Sequence, residues 1–435
     1  MKFKIILFLF SISYISPSRG QSSIPLDSAQ IYYEEVKAIC DKDHGKLWGI
    51  HIYAPTLLIS PKTLDVISNE IDNEGLLQKK ENLYIGKFPS DKIIANSTTR
   101  FGGKDFTMVS LPLPNDKYNR NVLLIHEMFH YYQPQLGLSL PEGISYDNIH
   151  ADEMQARVYF KLEWNALEKA VMESNPQLVK QYINDALIFR EYRQSLFEGS
   201  IKNENLFELH EGLPEYTAHK LCSTSDDMLK KQILRTKERI AASPSYVRSF
   251  AYLSGLMYGY LLDKANIEWR KDIRYDSNLN KILKTAYAIE TSEDLDNAQI
   301  EIRDRYDYVS INNLETIRKA EKNKVLAQYT ETFTQKPILT ISLRNPQIGF
   351  DPRNVVAMGE PGSIYPKNFV AVDEWGKLTV SDGGCLLANN WKQITIPAEE
   401  MIINNKLIRT SNWSLELNDN YIVEKVGNNY IIIKK

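Results

Sequence analysis

Hydrophobic and polar positions divide the chain into three parts with different periodicities. From residue 21 to about 118, short helical and strand-like patterns alternate. The stretch "SAQIYYEEVKAICDKDHGK" has helical spacing and should end near Gly45, while "LWGIHIYAPTLLISP" and "NLYIGKFP" have strand patterns. "TTRFGGKDFTMVSLPLP" alternates like a β-hairpin with a Gly-Gly turn. We therefore expect a mixed α/β segment here.

Residues 119–330 have mainly helical spacing. Two long amphipathic helices are predicted here. The first covers "HADEMQARVYFKLEWNALEKAVM" and ends before Pro176, and the second covers "PQLVKQYINDALIFREYRQSLF". Further helices are predicted at 211–222, 226–242, 246–264, 278–289, 293–305 and 312–329.

Residues 331–435 return to short alternating runs, among them "FVAVDEWGKLTV" and "NYIIIKK", separated by Gly, Pro and Asn turns. This part is predicted to be a small β domain, and its tryptophans are more typical of a core than of a sugar-binding surface. The predicted fold class is α+β: a mainly helical region with an upstream β-hairpin or sheet, and a C-terminal β domain.

The N-terminus, "MKFKIILFLFSISYISPSRGQSS", has the three parts of a secretory signal. Lys2 and Lys4 precede an apolar run, and Ser18 and Gly20 occupy the small-residue positions for cleavage before Gln21. The run is too short to span a membrane comfortably. We therefore expect residues 1–20 to be a cleaved signal peptide, with the mature chain secreted or periplasmic and not inserted in a membrane.

Charge and cysteine content exclude several classes of function. Cleavage after residue 20 would change the formal charge from −3 to −6, which argues against nucleic acid as a partner. The three cysteines, Cys40, Cys222 and Cys385, are too few for a disulfide framework and too scattered for a zinc ribbon. One pair at most could form a bridge.

The stretch "LLIHEMFHYYQ" carries the pattern HExxH on a predicted helix. Positions i and i+4 share one helix face, so His126 and His130 can bind one metal ion. Glu127 lies about 100° around the helix from His126, where it can reach a zinc-bound water instead of the metal. This arrangement is typical of metal-assisted hydrolysis, with Glu127 as the base.

A catalytic zinc site needs a third protein ligand, and two acidic segments could supply it. Gln133 and Leu136 occupy the positions where a metzincin has glycine and histidine, so that class is excluded. We favour Glu211 in "EGLPEYTAH", which is predicted to open a helix because Pro214 is tolerated in a first turn. Glu153 in "HADEMQAR" is the alternative.

The segments "LLIHEMFH" and "EGLPEYT" together resemble the gluzincins, the thermolysin-like clan of zinc metallopeptidases. The resemblance implies a zincin-like catalytic region, a zinc cofactor, His126, His130 and Glu211 as ligands, and Glu127 as base. Two features depart from the clan: Pro214 stands where alanine is usual, and 80 residues separate His130 from Glu211.

Five segments also resemble an uncharacterised secreted bacterial family within that clan: "LPLP", "HEMFH", "LEWNAL", "EGLPEYT" and "YLSGLMYGYLLD". The last segment offers Tyr252 and Tyr258 as candidate catalytic donors to the oxyanion of the reaction. The gluzincin resemblance further implies that an edge strand beside the catalytic helix binds extended substrate, and Phe106 to Ser110 is the predicted strand.

These observations predict a secreted zinc-dependent metallohydrolase, a peptidase that acts on a peptide or protein substrate. Two alternatives stay open. One is a non-catalytic secreted binding protein that retains the fold, although an intact Glu127 argues against it because a structural metal site has no use for a base. The other is a zinc hydrolase that acts on a non-peptide substrate.

Overall fold

The computed structural model describes residues 24–90, 92, 94–141, 143–144, 146–350 and 355–435, so the predicted signal peptide lies outside the described residues. The chain has the predicted α+β class, with a helical core and a C-terminal β region. It separates into two compact units, one ending at Asn312 and one covering Asn313–Lys435. The sequence pattern instead predicted a boundary at residue 331.

Helices make up most of the first unit. They are α1 (Leu26–Asp43), α2 (Lys117–Tyr132), α3 (Met154–Met172), α4 (Pro176–Ser195), α5 (Ser200–Phe207), α6 (Leu213–Cys222), α7 (Asp226–Ala241), α8 (Phe250–Lys264), α9 (Leu279–Tyr287), α10 (Leu295–Arg303) and the start of α11 (Tyr308–Thr334). Most were predicted within a few residues, but α5 was not predicted at all. Local signals set several ends: Asp116 caps α2, and His44 adopts a left-handed conformation after α1.

One six-stranded sheet belongs to the first unit, with the order β3-β4-β2-β1-β6-β5. Its strands are β1 (Thr56–Ile59), β2 (Asp65–Ser68), β3 (Gln78–Lys80), β4 (Leu83–Lys87), β5 (Ser97–Phe101) and β6 (Lys104–Ser110). Both faces of the sheet are covered near β1, because Leu58 packs in the main helical core while Leu57 and Ile59 pack in a separate core on the other face.

The hairpin β5–β6 forms around Gly102 and Gly103, as predicted, and both glycines have positive φ. The prediction that Phe106 to Ser110 is an edge strand is wrong. Strand β6 pairs in parallel with β1 on one side and antiparallel with β5 on the other, so its backbone groups are already used. In the described part of the sheet, β5 is the edge beside α2.

The second unit contains the rest of α11 and two sheets. One has the order β18-β19-β7-β14-β13-β10-β9 and the other β15-β16-β17-β12-β11-β8. The strands are β7 (Ile338–Ser342), β8 (Gln347–Gly349), β9 (Val356–Ala357), β10 (Ser363–Tyr365), β11 (Phe369–Asp373), β12 (Gly376–Val380), β13 (Cys385–Leu387), β14 (Gln393–Pro397), β15 (Ile402–Asn404), β16 (Leu407–Arg409), β17 (Trp413–Leu417), β18 (Tyr421–Val426) and β19 (Asn429–Lys434).

Residues from both sheets share one core, which includes Leu339, Leu378 and Leu415, so the unit is a β-sandwich. Trp375 and Trp413 are buried in it, as predicted for core tryptophans, whereas Trp391 is exposed.

Cys40, Cys222 and Cys385 are free thiols in the structure, so none of them forms a disulfide bridge. Among the helices of the described residues, none combines the length and the apolar character that crossing a membrane requires.

Candidate metal centre

The HExxH segment lies on α2, in the centre of the helical core. Arg120 to Phe129 along this helix are almost all buried, including His126 and Glu127. The spacing of four residues places the rings of His126 and His130 on one face, with centroids 5.0 Å apart.

Glu211 lies in a π-helical turn, Glu208–Gly212, between α5 and α6. Helix α6 begins at Leu213 with Pro214 in its first turn, as predicted, but it does not start from a loop, because α5, the turn and α6 follow one another without a break from Ser200 to Cys222. Pro214 therefore lies within continuous helical structure. A π-turn adds one residue to a helix and is frequent at functional sites.

The structure brings His126, His130 and Glu211 together. One ligand atom from each lies within 4.8 Å of the others, and this is the one such group found in the described part of the chain. His126 and Glu211 are buried, and His130 is partly buried. Nε2 of His126 and Nε2 of His130 lie 3.4 Å and 3.6 Å from the same carboxylate oxygen, Oε2 of Glu211. The alternative ligand, Glu153, is exposed before α3 and lies outside this group.

The second nitrogen of each histidine is held by a side-chain oxygen. Nδ1 of His126 lies 3.0 Å from Oε2 of Glu215, and Nδ1 of His130 lies 2.8 Å from Oε1 of Gln133. Because these oxygens accept hydrogen bonds, each Nδ1 is assigned as the donor. Each Nε2 faces Glu211 and, once deprotonated, offers the lone pair that a metal ligand needs.

Gln133 also joins α2 to the π-turn. Its Nε2 donates to the backbone carbonyl of His210 at 2.8 Å. In an α-helix that carbonyl would accept from the residue four positions later, which here is Pro214, and proline has no backbone N–H. Because residue 214 is a proline, the carbonyl of His210 is left free to accept from Gln133.

Tyr252 on α8 completes the group. Its hydroxyl donates to Oε2 of Glu211 at 2.9 Å, and its ring stacks on His126 with centroids 5.5 Å apart and an interplanar angle of 14°. Helix α8 reaches the π-turn because both elements have glycine where they cross. A Cβ on Gly212 would lie 2.7 Å from the carbonyl oxygen of Ala251 and 2.8 Å from Cα of Gly255.

Tyr258, the second predicted donor, points elsewhere. Its hydroxyl donates to Oε1 of Glu163 at 3.1 Å, in a fully buried cluster of charges behind the π-turn. In that cluster, Arg190 donates to both carboxylate oxygens of Glu208 at 2.7 Å and 2.5 Å. Glu208 begins the π-turn, so this pair anchors the backbone that carries Glu211.

The electrostatics of the group favour a bound cation. Burial acts to raise the pKa of Glu211, but His130 and His126 hold that pKa well below its usual range. Burial likewise opposes protonation of His126, yet its contacts with Glu211 and Glu215 raise its pKa to about 10. Three carboxylates, with Glu127 the third, thus surround two histidines in a buried space.

Two atoms beside the group lack a hydrogen-bond partner among the described residues: Oε1 of Glu211 and Nδ1 of His210, both buried. A buried carboxylate oxygen without a partner is uncommon and calls for an ion or a water. Two imidazole nitrogens and a carboxylate oxygen are also a donor set that zinc takes in hydrolases. The residues present therefore fit a divalent metal such as zinc.

Gln133, which contacts His130, and His210, which neighbours the centre, are two residues that the sequence patterns do not predict. Gln133 could have been found from its spacing, because it lies three residues after His130 on the same helix. His210 could not, since its role depends on the π-turn.

Comparisons of the chain with protein-family models, with curated proteins and with solved structures find no significant match. The function proposed below therefore depends on the residues of the centre and their geometry.

Proposed function

We propose that the protein is an exported zinc-dependent metallohydrolase that cleaves peptide bonds. The observation that carries the proposal is the convergence of His126, His130 and Glu211, with Glu127 intact beside them. A purely structural site would need the three ligands but not Glu127.

His126 and His130 would hold the metal through Nε2, and Glu211 through its carboxylate. Zinc in such a site acts as a Lewis acid that activates water and polarises the carbonyl group of the substrate. Glu215 and Gln133 keep the two imidazoles in the required tautomer and orientation.

Glu127 is suited to move the proton of the reaction. Burial raises its pKa, which brings the carboxylate closer to the range where a general base works near neutral pH. Glu127 would accept a proton from the attacking water as the oxygen of that water bonds to the carbonyl carbon. It would pass the proton to the leaving amine as the C–N bond breaks.

Tyr252 would donate a hydrogen bond to the oxyanion that forms on the carbonyl oxygen. Burial and the neighbouring Glu211 raise the pKa of Tyr252 well above its usual value, so its hydroxyl stays protonated at physiological pH. The backbone of β5 would support an extended substrate beside α2, because its outer side is an open edge in the described sheet.

The substrate would be a peptide or protein outside the cytoplasm. The N-terminal pattern of Lys2, Lys4 and the apolar run supports export, and the acidic mature chain argues against nucleic acid as partner.

Metal analysis and one substitution test the proposal. Purified protein should contain about one zinc per chain. Glu127→Gln should keep the zinc and lose turnover of a peptide library. Well-folded protein that binds no zinc would refute the metal site. Zinc-loaded wild-type protein that cleaves no peptide would refute the peptidase assignment.

A further inference from the structure

A cavity of about 560 Å³ opens directly beside the candidate metal centre. His126, Glu215 and Tyr252 form the part of its wall that belongs to the centre. The rest comes from the start of α2 and the residues just before it, from His219 on α6 and from one side of α7. The cavity meets the centre at His126 and Tyr252, so a part of the substrate that extends from the scissile bond past these two residues would lie in it. The chemistry of the cavity would therefore be a determinant of specificity.

Helix α7 presents a polar stripe to the cavity. Gln232, Thr236 and Arg239 lie within about 60° of one another around the helix, and Arg235 lies next to them at about 40° from Arg239. Glu238 also lines the cavity but lies farthest from the centre of the stripe, about 100° from Arg239. The two guanidinium groups are thus placed more centrally than the carboxylate.

Two further acids of the cavity are already used. Asp116 caps α2, accepting hydrogen bonds from the backbone and the side chain of Asn119 at 3.0 Å and 2.6 Å. Glu215 holds His126 and also lies 3.3 Å from His219 and 3.5 Å from Arg239. Neither acid is left to neutralise Arg235.

Arg235 is exposed, and no carboxylate of the described residues lies within ion-pair distance of it. Its charge nevertheless acts inside the cavity. Burial raises the pKa of the Tyr118 hydroxyl, and Arg235 opposes that shift. Arg235 lines the cavity, and a guanidinium offers paired N–H donors that match a carboxylate in geometry and charge.

We propose that this arginine pocket, with Arg235 and Arg239 in its wall, binds a carboxylate group of the substrate next to the scissile bond. The group is an acidic side chain or the C-terminal carboxylate of a peptide. The inference rests on the proposed function, because it assigns a substrate class to the same centre.

Peptide cleavage by the zinc-loaded protein gives the first test. Matched peptides would carry Glu, Gln or Lys beside the scissile bond, each with a free or an amidated C-terminus. Peptides with a carboxylate in the pocket should be cleaved about tenfold faster than neutral ones. Arg235→Glu should remove that preference. Lys231→Glu, on the same helix but outside the wall, should leave it unchanged.

A binding measurement separates failure of the pocket from failure of the peptidase. The Glu127→Gln protein would be titrated by calorimetry with acetyl-Gly-Glu-amide, acetyl-Gly-Gln and acetyl-Gly-Gln-amide. The first probe offers a side-chain carboxylate, the second a terminal one and the third neither. Whichever of the two acidic probes fits the pocket should bind about tenfold tighter than acetyl-Gly-Gln-amide, and Arg235→Glu should abolish this difference in affinity.

Equal binding of the three probes would overturn the inference even if peptides are cleaved. The inference would also be overturned if peptides with Lys beside the scissile bond are cleaved faster and Glu238→Lys reverses that preference, because the pocket would then bind cations. If no peptide is cleaved but the acidic probe binds through Arg235, the peptidase assignment fails and the carboxylate pocket stands.

Discussion

The side-chain carbonyl of Gln133, the residue that caps the C-terminus of α2, lies 2.8 Å from Nδ1 of His130 in the last turn of the helix. The other end of the same amide donates to the carbonyl of His210, at 2.8 Å, in the residue before Glu211. One side chain therefore orients a candidate ligand and fixes α2 to the π-turn that supplies another. This link joins two ligands that are far apart in the sequence.

Gln133→Leu should weaken zinc binding by about 10- to 100-fold, because it removes the acceptor that fixes the tautomer of His130. The affinity can be measured by competition with a chromophoric chelator. Gln135→Leu serves as the control, since Gln135 is exposed two residues away and should bind zinc like the wild type. Equal affinities in the two variants would show that the amide does not position His130.

Tyr252→Phe and Tyr258→Phe should affect different properties although both residues lie on α8: the first should lower activity and the second stability. The Tyr252 variant loses the donor beside Glu211, so kcat on a cleaved peptide should fall about 10²- to 10³-fold with zinc retained. The Tyr258 variant loses a buried hydrogen bond to Glu163, so its free energy of unfolding should fall by about 1–3 kcal/mol. Unchanged kcat in the Tyr252 variant would contradict the assigned donor.

These two tyrosines show what the sequence could and could not predict. The spacing of His126 and His130 predicts a shared helix face, and the structure places them on one. The segment "YLSGLMYGYLLD" predicts a helix with two candidate donors but not which face meets the centre. Six residues turn a helix by about 240°, so the packing of α8 decides that only Tyr252 reaches Glu211.

The sequence patterns could not predict the π-turn either, because it too depends on contacts between residues that are distant in the sequence. Pro214 predicts a helix start, because proline is normally tolerated only in a first turn. Pro214 does lie in the first turn of α6, and contacts that are distant in sequence support the turn before it. Arg190 anchors Glu208, and the side chain of Gln133 donates to the carbonyl that Pro214 leaves free. Neither contact is visible in the periodicity of the segment. The edge position of β5 was missed likewise, since strand order depends on long-range pairing.

Gly255→Ala should separate α8 from the π-turn, because the added Cβ would overlap the backbone of Gly212. Overpacking of this kind costs about 1–3 kcal/mol, and displacement of the turn should also weaken zinc binding. Gly349→Ala is the matched control, since a Cβ there would meet no atom within 4 Å. Chemical denaturation and the chelator assay measure the two effects. An unchanged zinc affinity would show that the turn does not depend on this crossing.

Glu204 should make the first unit sensitive to acid. Its carboxylate is fully buried and accepts from Arg193 at 2.8 Å and 3.1 Å and from Gln194 at 2.7 Å. Nε2 of His150 lies 2.9 Å from it. Burial acts to raise the pKa of Glu204, but Arg193 and His150 lower it far below its usual value. The folded protein therefore binds a proton at Glu204 less readily than the unfolded chain does.

The sign of the pH effect follows from that difference. The stabilisation from Glu204 is complete above the unfolded pKa of about 4.3 and is lost progressively as the pH falls toward the folded pKa. Glu204→Gln should lower the free energy of unfolding by about 3–5 kcal/mol at neutral pH, because it leaves Arg193 with less compensating charge. The variant should also lose stability less steeply in acid than the wild type.

Hydrogen exchange of α4 and α5, followed by mass spectrometry between about pH 3 and pH 7, reports on the unit that contains Glu204. Correction for the intrinsic pH dependence of exchange leaves the free energy of opening. Glu198→Gln is the control, because Glu198 is exposed just before α5 and should change neither the stability nor its slope. Parallel pH profiles for the wild type and Glu204→Gln would show that another group titrates in this range.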